Sequence, residues 1–482
     1  MNGKMLDRFF CTKGALSPSF SSPVPAAEKR IVLILAILAG FITPFDGSAV
    51  NIALPVISTE FHMDIITLSW VTTAYLLSCA VFLVPFGKIA DIYGRKKVYL
   101  CGIGTFAVAS LCMTLISSSE AFIALRIVQG LGSAMIFGTA VAILTSVYPP
   151  GERGSALGLY TTAVYLGLSV GPFLGGFLTT YLGWRSIFLV NVPIGIAAII
   201  LVLFKLKGEW AECNEERFDL VGALFYGIAL MMVMYGFSLL PDASGLFLIL
   251  AGLFCTCLFI RQELKTRYPV LNIRIFSGNR IFAFSNLAAL INYSATYSVS
   301  FLMSLFLQYT HNFSPEYAGF ILVTAPVMQM IISPFSGRLS DHADPGVIAS
   351  VGMGLSGIAI FLLTFLGENT SIWYILIALV ILGVGFGIFS SPNTNAIMSA
   401  VEKRYYGVAS GTLATMRLLG QMFSMGIVMM VFALVIGRIE IVPRYYPEFI
   451  ASVHYLFIFF TLLCIVGIYA SLIRRKSQNN TF

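Results

Sequence analysis

The chain is short of charge. Asp, Glu, Lys and Arg together supply 11% of its 482 residues, against roughly 25% in soluble domains. Its four histidines (His62, His311, His342 and His454) fall in separate loops or at the ends of apolar runs. None has metal-ligand spacing, so no metal centre is expected. Of the eight cysteines, Cys11 and Cys213 lie in polar segments and the other six inside apolar runs, where no extracellular disulfide forms. Cys255 and Cys257, two residues apart on a helix, point to different faces and read as packing thiols. A catalytic triad and a phosphate loop are also missing, which argues against an enzyme and against any cofactor. The longest polar stretch is the 30-residue N-terminal lead. That is too little for the extramembrane domain of a receptor.

What the chain has is apolar surface. It is 58% hydrophobic, with a mean hydropathy of +0.89, and its uncharged runs approach the roughly 20 residues that cross a bilayer as a helix. The fold class is therefore an all-α polytopic membrane protein, and a β-barrel is excluded. Fourteen spans are expected: 31–53, 66–87, 98–117, 121–146, 156–181, 186–204, 220–240, 244–260, 281–308, 317–337, 347–366, 372–398, 407–436 and 453–473. The first run continues through Asp46 and Pro55 without a small-residue cleavage site, so it is read as a retained span.

Charge tests that count. The segment Gly87-Lys-Ile-Ala-Asp-Ile-Tyr-Gly-Arg-Lys-Lys97 puts four basic residues between two spans, and such a loop stays cytoplasmic. By alternation, 24 of the 29 Lys and Arg then fall inside. Three (Arg185, Arg438 and Arg444) fall outside, and two (Arg126 and Arg417) lie within spans. Both termini are expected in the cytoplasm, and topology accounts for the net charge of +7 without a nucleic-acid partner.

An internal repeat gives the domain plan. Gly87-Lys-Ile-Ala-Asp91 recurs as Gly337-Arg-Leu-Ser-Asp341, each at the cytoplasmic end of the second span of a half, and Gly154 and Gly407 open the fifth spans. The expected order is an N-terminal segment (1–30), a six-helix bundle (31–204), two extra helices with linkers (205–280), a second six-helix bundle (281–473) and a tail (474–482). Paired six-helix bundles suit a secondary transporter that rocks around a midplane site.

Five stretches carry a family resemblance: Phe45-Asp-Gly-Ser-Ala-Val-Asn-Ile-Ala-Leu-Pro55; the Gly87–Lys97 loop; Arg126-Ile-Val-Gln-Gly-Leu-Gly132; Gly167-Leu-Ser-Val-Gly-Pro-Phe-Leu-Gly-Gly176; and Trp184-Arg-Ser-Ile-Phe-Leu-Val-Asn-Val-Pro-Ile-Gly195. Tyr268–Phe276 and Ser314–Gly319 are softer matches. With these the chain resembles the major facilitator superfamily, and in particular its fourteen-helix drug:proton antiporters. The resemblance implies proton-driven efflux of small drug-like compounds from a monomer in the plasma membrane. A dedicated exporter of one metabolite would use the same motifs.

Candidate site residues follow. Gly167, Gly171 and Gly175 form a flat stripe, with Gly176 beside it, and Pro172 bends the helix; together they suit a moving interface. The family reading of the basic loop is a latch of Gly87, Asp91, Gly94 and Arg95 holding the two halves together, with Asp341 in the reduced second copy. Ionisable groups inside spans are costly and few. Burial penalises a charged carboxylate, so Asp46 can take a proton from outside and release it when Arg126 or a cationic substrate approaches. Asp46 is placed about nine residues from the outer end of its span. Gln129 and Ser133 share a helix face with Arg126. Asn292, Thr296, Asn393 and Asn395 are candidates for the opposite cavity wall, and Arg417 for a structural or anion contact. One deep carboxylate against two arginines disfavours dications and favours neutral, monovalent or anionic amphipathic substrates.

Overall fold

The computed structural model describes residues 26–149, 152–206, 209, 217–402 and 406–478. Cys11, Cys213, most of the N-terminal segment and the end of the tail lie outside the described residues. Among those described, fourteen helices are long and apolar enough to cross a membrane. They are α1 (Ala26–Phe61), α2 (Ile65–Tyr93), α3 (Arg95–Met113), α4 (Ser119–Val147), α5 (Arg153–Leu182), α6 (Arg185–Lys205) and α7 (Leu220–Leu239). The second seven are α8 (Ala243–Lys265), α9 (Arg280–Thr310), α10 (Pro315–Ser340), α11 (Pro345–Leu363), α12 (Ile372–Ser399), α13 (Tyr406–Val435) and α14 (Pro443–Leu472). The expected fold class and span number hold.

Short polar side chains set many of the helix starts. Asp64 accepts from the amides of Ile66 and Thr67 to open α2, and Ser118, Asp219, Asn279, Ser314 and Asp344 cap α4, α7, α9, α10 and α11 in the same way. Helix ends depart from the sequence reading where polar residues are hydrogen-bonded into the fold rather than looped. The first helix runs on through Pro55 to Phe61. Its last turns stay helical because Thr59 donates to the Pro55 carbonyl and Glu60 receives Trp184 Nε1 at 2.6 Å and Arg185 at 2.7 Å. Asp46 therefore stands fifteen residues from the end of α1, not nine. α8 extends to Lys265 because the buried carboxylate of Glu263 accepts the amides of Val270 and Leu271. α10 is interrupted at Val323, where Pro326 supplies no N–H to the Leu322 carbonyl four residues back.

The helices pack as two clusters. In the first, α1 lies along α5, α2 and α3 along α4, and α6 against α3 and α1; in the second, α12 packs on α11 and α10, and α9 and α11 on α14, with α13 on α9. Helix α7 pairs with α8 and touches both α2 and α13. The clusters meet along α5–α10, α2–α13 and α1–α9. At the end remote from the 87–97 loop this seam is tight. Ser304 donates to the Asn51 carbonyl at 2.7 Å, Gln308 to the Ile52 carbonyl at 2.9 Å and Tyr181 to Glu316 at 3.0 Å. At the loop end, a Cβ added to Gly154 or Gly158 of α5, or to Gly407 or Gly411 of α13, would meet no described atom beyond its own helix within 4 Å.

Candidate transport site

Asp46 is the centre of a closed polar cluster inside the first bundle. Its Oδ2 accepts Arg126 Nη1 at 2.7 Å, and its Oδ1 accepts Gln129 Nε2 at 3.0 Å and Asn191 Nδ2 at 2.8 Å. All four residues are 0% exposed. Every named partner is a donor, so the carboxylate form of Asp46 satisfies the site as it stands. Arg126 also donates Nε to the Val71 carbonyl and Nη1 to Gln129, and its guanidinium lies 4.3 Å from the centre of the Tyr75 ring. Its Nη2 has no partner. The hydroxyl of Tyr75 in turn meets Ser133 at 2.8 Å, and Ser110 accepts from Gln129. Tyr297 of α9, from the other bundle, is within electrostatic reach of both Asp46 and Arg126.

The structure thus gathers Asp46, Arg126, Gln129 and Ser133 from α1 and α4, and adds Asn191, Ser110 and Tyr75, to which sequence reasoning gave no role. Asn191 carried one signal, a lone amide in the Trp184–Gly195 motif. On α9, Asn292 is 0% exposed with neither amide atom partnered, and Thr296 donates to its backbone carbonyl. Asn393 donates to the Ser285 carbonyl at 3.1 Å. Asn395 takes a different direction from Asn393. It turns to the loop end, with its Nδ2 2.9 Å from Ser340 Oγ and 3.4 Å from Asp341, because it lies on a different helix face from Ser390 and Thr394. Tyr165 of α5 instead meets Ser390 of α12 at 2.8 Å across the seam.

In the basic loop, Gly94 takes φ +121 to separate α2 from α3, a value that suits glycine alone. Arg95, 7% exposed, grips Asp91 Oδ1 through Nε at 2.8 Å and Nη2 at 2.7 Å. The same guanidinium donates to Ser146 Oγ at 2.5 Å and the Ala142 carbonyl at 3.4 Å at the end of α4. These contacts tie α2, α3 and α4 within the first bundle. A Cβ added at Gly87 would meet no described atom beyond its own helix within 4 Å. Glu209, absent from the sequence inventory, accepts the Lys96 amide at 2.9 Å.

The α5 stripe serves two interfaces. A Cβ on Gly167 would stand 2.5 Å from the Phe41 carbonyl oxygen and one on Gly175 2.7 Å from Ala49 Cα, while Gly171 abuts Ser48, so this face packs on α1. Gly176 abuts the Pro315 carbonyl, and Gly319 that of Pro172, so the neighbouring face packs on α10 across the seam. A separate recess lined by Leu38, Ile103, Ile136 and Ile194 is apolar and lies inside the first bundle, off the seam.

Residues 36–425 match the family model described as Major Facilitator Superfamily, with a second match over 286–480. The chain belongs to the Major Facilitator Superfamily. Within that superfamily it is 30% identical over 390 residues to a riboflavin transporter, RibZ, of Clostridioides difficile, covering 81% of this chain and 85% of that one. It is 29% identical over 408 residues to a tetracenomycin C resistance and export protein of Streptomyces glaucescens (82% and 75% covered). A multidrug resistance protein, Stp, of Mycobacterium tuberculosis is 30% identical over 401 residues (81% and 74%). A solved structure described under substrate recognition in proton dependent oligopeptide transporters shares the fold, with a TM-score of 0.65 at 16% identity, covering 93% of this chain and 99% of that one. The resemblance drawn from the motifs holds: fold and relatives are those of major facilitator transporters, including resistance transporters, and not of enzymes.

Proposed function

We propose that this protein exports small amphipathic organic compounds in exchange for protons, by alternating access, as a monomer in the plasma membrane with both termini cytoplasmic. The observation that carries the reading is the fully buried Asp46, held by Arg126, Gln129 and Asn191 while the seam is tight at the end remote from the basic loop. With that loop cytoplasmic, this is the inward-facing arrangement. Rocking the halves the other way parts α5 from α10 and α1 from α9 and brings external water toward the cluster. A proton arriving there neutralises Asp46 and releases Arg126; on return, Arg126 and the two amides expel the proton inward. Coupling follows because the empty carrier resets only with Asp46 neutral.

The relatives named as multidrug resistance and antibiotic export proteins support efflux as the direction. Because Arg126 already occupies the one deep carboxylate, the seam offers dications little compensation. The test is purified protein in liposomes with an imposed pH gradient, screened against a varied panel of compounds. Wild type should concentrate compounds against their gradient; Asp46→Asn should lose that accumulation and keep downhill exchange. Gradient-driven accumulation at the wild-type level in Asp46→Asn would remove Asp46 from the mechanism. A second reading, a dedicated carrier of one metabolite, is favoured by the relative named as a riboflavin transporter. The panel separates the two, since a dedicated carrier responds to one compound class.

A further inference from the structure

Where the halves face each other, an arginine stands among aromatic rings without an acid. Arg417 lies on α13, eleven residues from Tyr406, or about 17 Å along the helix at 1.5 Å per residue. Its Nη2 donates to Thr394 Oγ1 at 3.0 Å, its guanidinium is 5.6 Å from the centre of the Tyr293 ring, and its Nε is buried with no partner. Among the described residues it makes no ion pair. The residues around it are the tyrosines Tyr293, Tyr165 and Tyr160 rather than carboxylates. Arg126, the other intramembrane arginine, is paired, sealed and 0% exposed.

The neighbours of Arg417 come from both halves. Tyr160 and Tyr165 belong to α5, Tyr293 to α9, and Ser390 and Thr394 to α12. Tyr165 meets Ser390 at 2.8 Å, and Tyr293 packs edge-on against Phe386 at 5.2 Å. Tyr160, Tyr165, Tyr293, Thr394 and Arg417 each keep part of their surface open to solvent, whereas the Asp46 cluster keeps none. A partly exposed guanidinium whose spare donor is a buried Nε, walled by rings and hydroxyls, has the composition of a receptor for a planar anion: charge and N–H groups for an acidic oxygen, aromatic faces for the ring. Tyr165 and Ser390 stand on opposite halves, so a ligand here bears on the surfaces that must part.

Resting on the transport reading above, we infer that Arg417 binds the acidic group of the substrate, and that the preferred substrates are aromatic monoanions, their rings lying against Tyr293 and Tyr165. The charge of a monoanion is then met by Arg417 while Asp46 and Arg126 remain free to handle the proton. A neutral analogue of the same shape binds the rings without that contact. A cation is repelled.

The experiment uses full-length protein and a matched pair of probes, naphthalene-2-sulfonate and naphthalene-2-sulfonamide, which share the ring and differ in charge. Binding to detergent-solubilised protein and pH-gradient-driven transport in liposomes are measured for wild type, Arg417→Gln and Arg417→Lys. Wild type should favour the sulfonate by about tenfold or more, as a charge-assisted pair in a secluded site does. Arg417→Gln should erase that preference and leave sulfonamide binding within about twofold, with Arg417→Lys between them. Equal loss of both probes in Arg417→Gln, or a wild type that binds the sulfonamide as well as the sulfonate or binds neither, overturns the inference. Should Arg417→Gln fail to fold, the wild-type preference and the Arg417→Lys variant still decide it. The transport reading fails separately, when wild type moves no compound of any charge under a pH gradient. Gradient-driven export confined to neutral or cationic compounds refutes the role of Arg417 and leaves that reading standing.

Discussion

Four side chains from three helices decide the electrostatics of the first bundle. Asp46 and Arg126 are each 0% exposed, and a lone charge of either sign at that depth is costly, so the two depend on each other. Removing one partner leaves the other uncompensated. Arg126→Leu is expected to destabilise the protein by about 3–5 kcal/mol, read as a lower melting temperature in detergent. The double change Asp46→Asn with Arg126→Gln removes both charges and should recover much of that loss without recovering coupling. If Arg126→Leu melts like wild type, the pair is not the brace that the geometry describes. Half of this cluster was legible in the sequence. A charge inside an apolar run announces itself, so Asp46 and Arg126 stood out, and Gln129 followed at one turn. Asn191 and Ser110 are isolated polar residues in apolar stretches, and nothing in one sequence says that α6 brings Asn191 to the Asp46 carboxylate and α3 brings Ser110 to Gln129.

At the scale of elements, the apolar runs marked every spanning helix, but not where helices end. Ser58, Thr59 and Glu60 look like loop residues, yet they continue α1, where Trp184 and Arg185 donate to the Glu60 carboxylate. A polar stretch such as Ser390–Asn395 likewise suggests one wall, although helical rotation sends Ser390 and Thr394 to the seam, Asn393 to α9 and Asn395 to Asp341. The α5 glycines were legible as close-packing positions, but not as two faces. That division yields a contrast between neighbours. Gly175→Ala pushes a methyl group to 2.7 Å from Ala49 Cα within one bundle and should lower stability by about 1–3 kcal/mol. Gly176→Ala presses on the Pro315 carbonyl across the seam, and the halves relieve it by parting. Spin labels at the remote ends of α5 and α10 should report longer distances for Gly176→Ala and unchanged ones for Gly175→Ala. Identical distributions in both variants would show that α5 is a packing helix and no gate.

For the whole molecule, the proposed rocking of the halves decides which contacts break. Helix α7 reaches both halves, since Tyr226 donates to the Ala80 carbonyl of α2 at 3.0 Å and Arg438, beyond α13, donates to the Ser238 carbonyl at 3.2 Å. It flanks the α2–α13 edge and leaves the α5–α10 edge uncovered. A rocking motion that parts α5 from α10 can therefore hinge beside α7. The remote end of that uncovered edge is stitched where the Glu316 amide donates to Thr180 Oγ1 at 3.3 Å. A disulfide between Thr180→Cys and Glu316→Cys, added to a background without the native cysteines, joins the halves at that point. The oxidised protein should remain folded, still bind substrate from the loop end, and lose nearly all gradient-driven transport, with reductant restoring it. Either single cysteine alone should transport normally after oxidation. Full transport with the crosslink verified by mass spectrometry would mean that this edge never opens, and a different pair of surfaces would have to carry the substrate across.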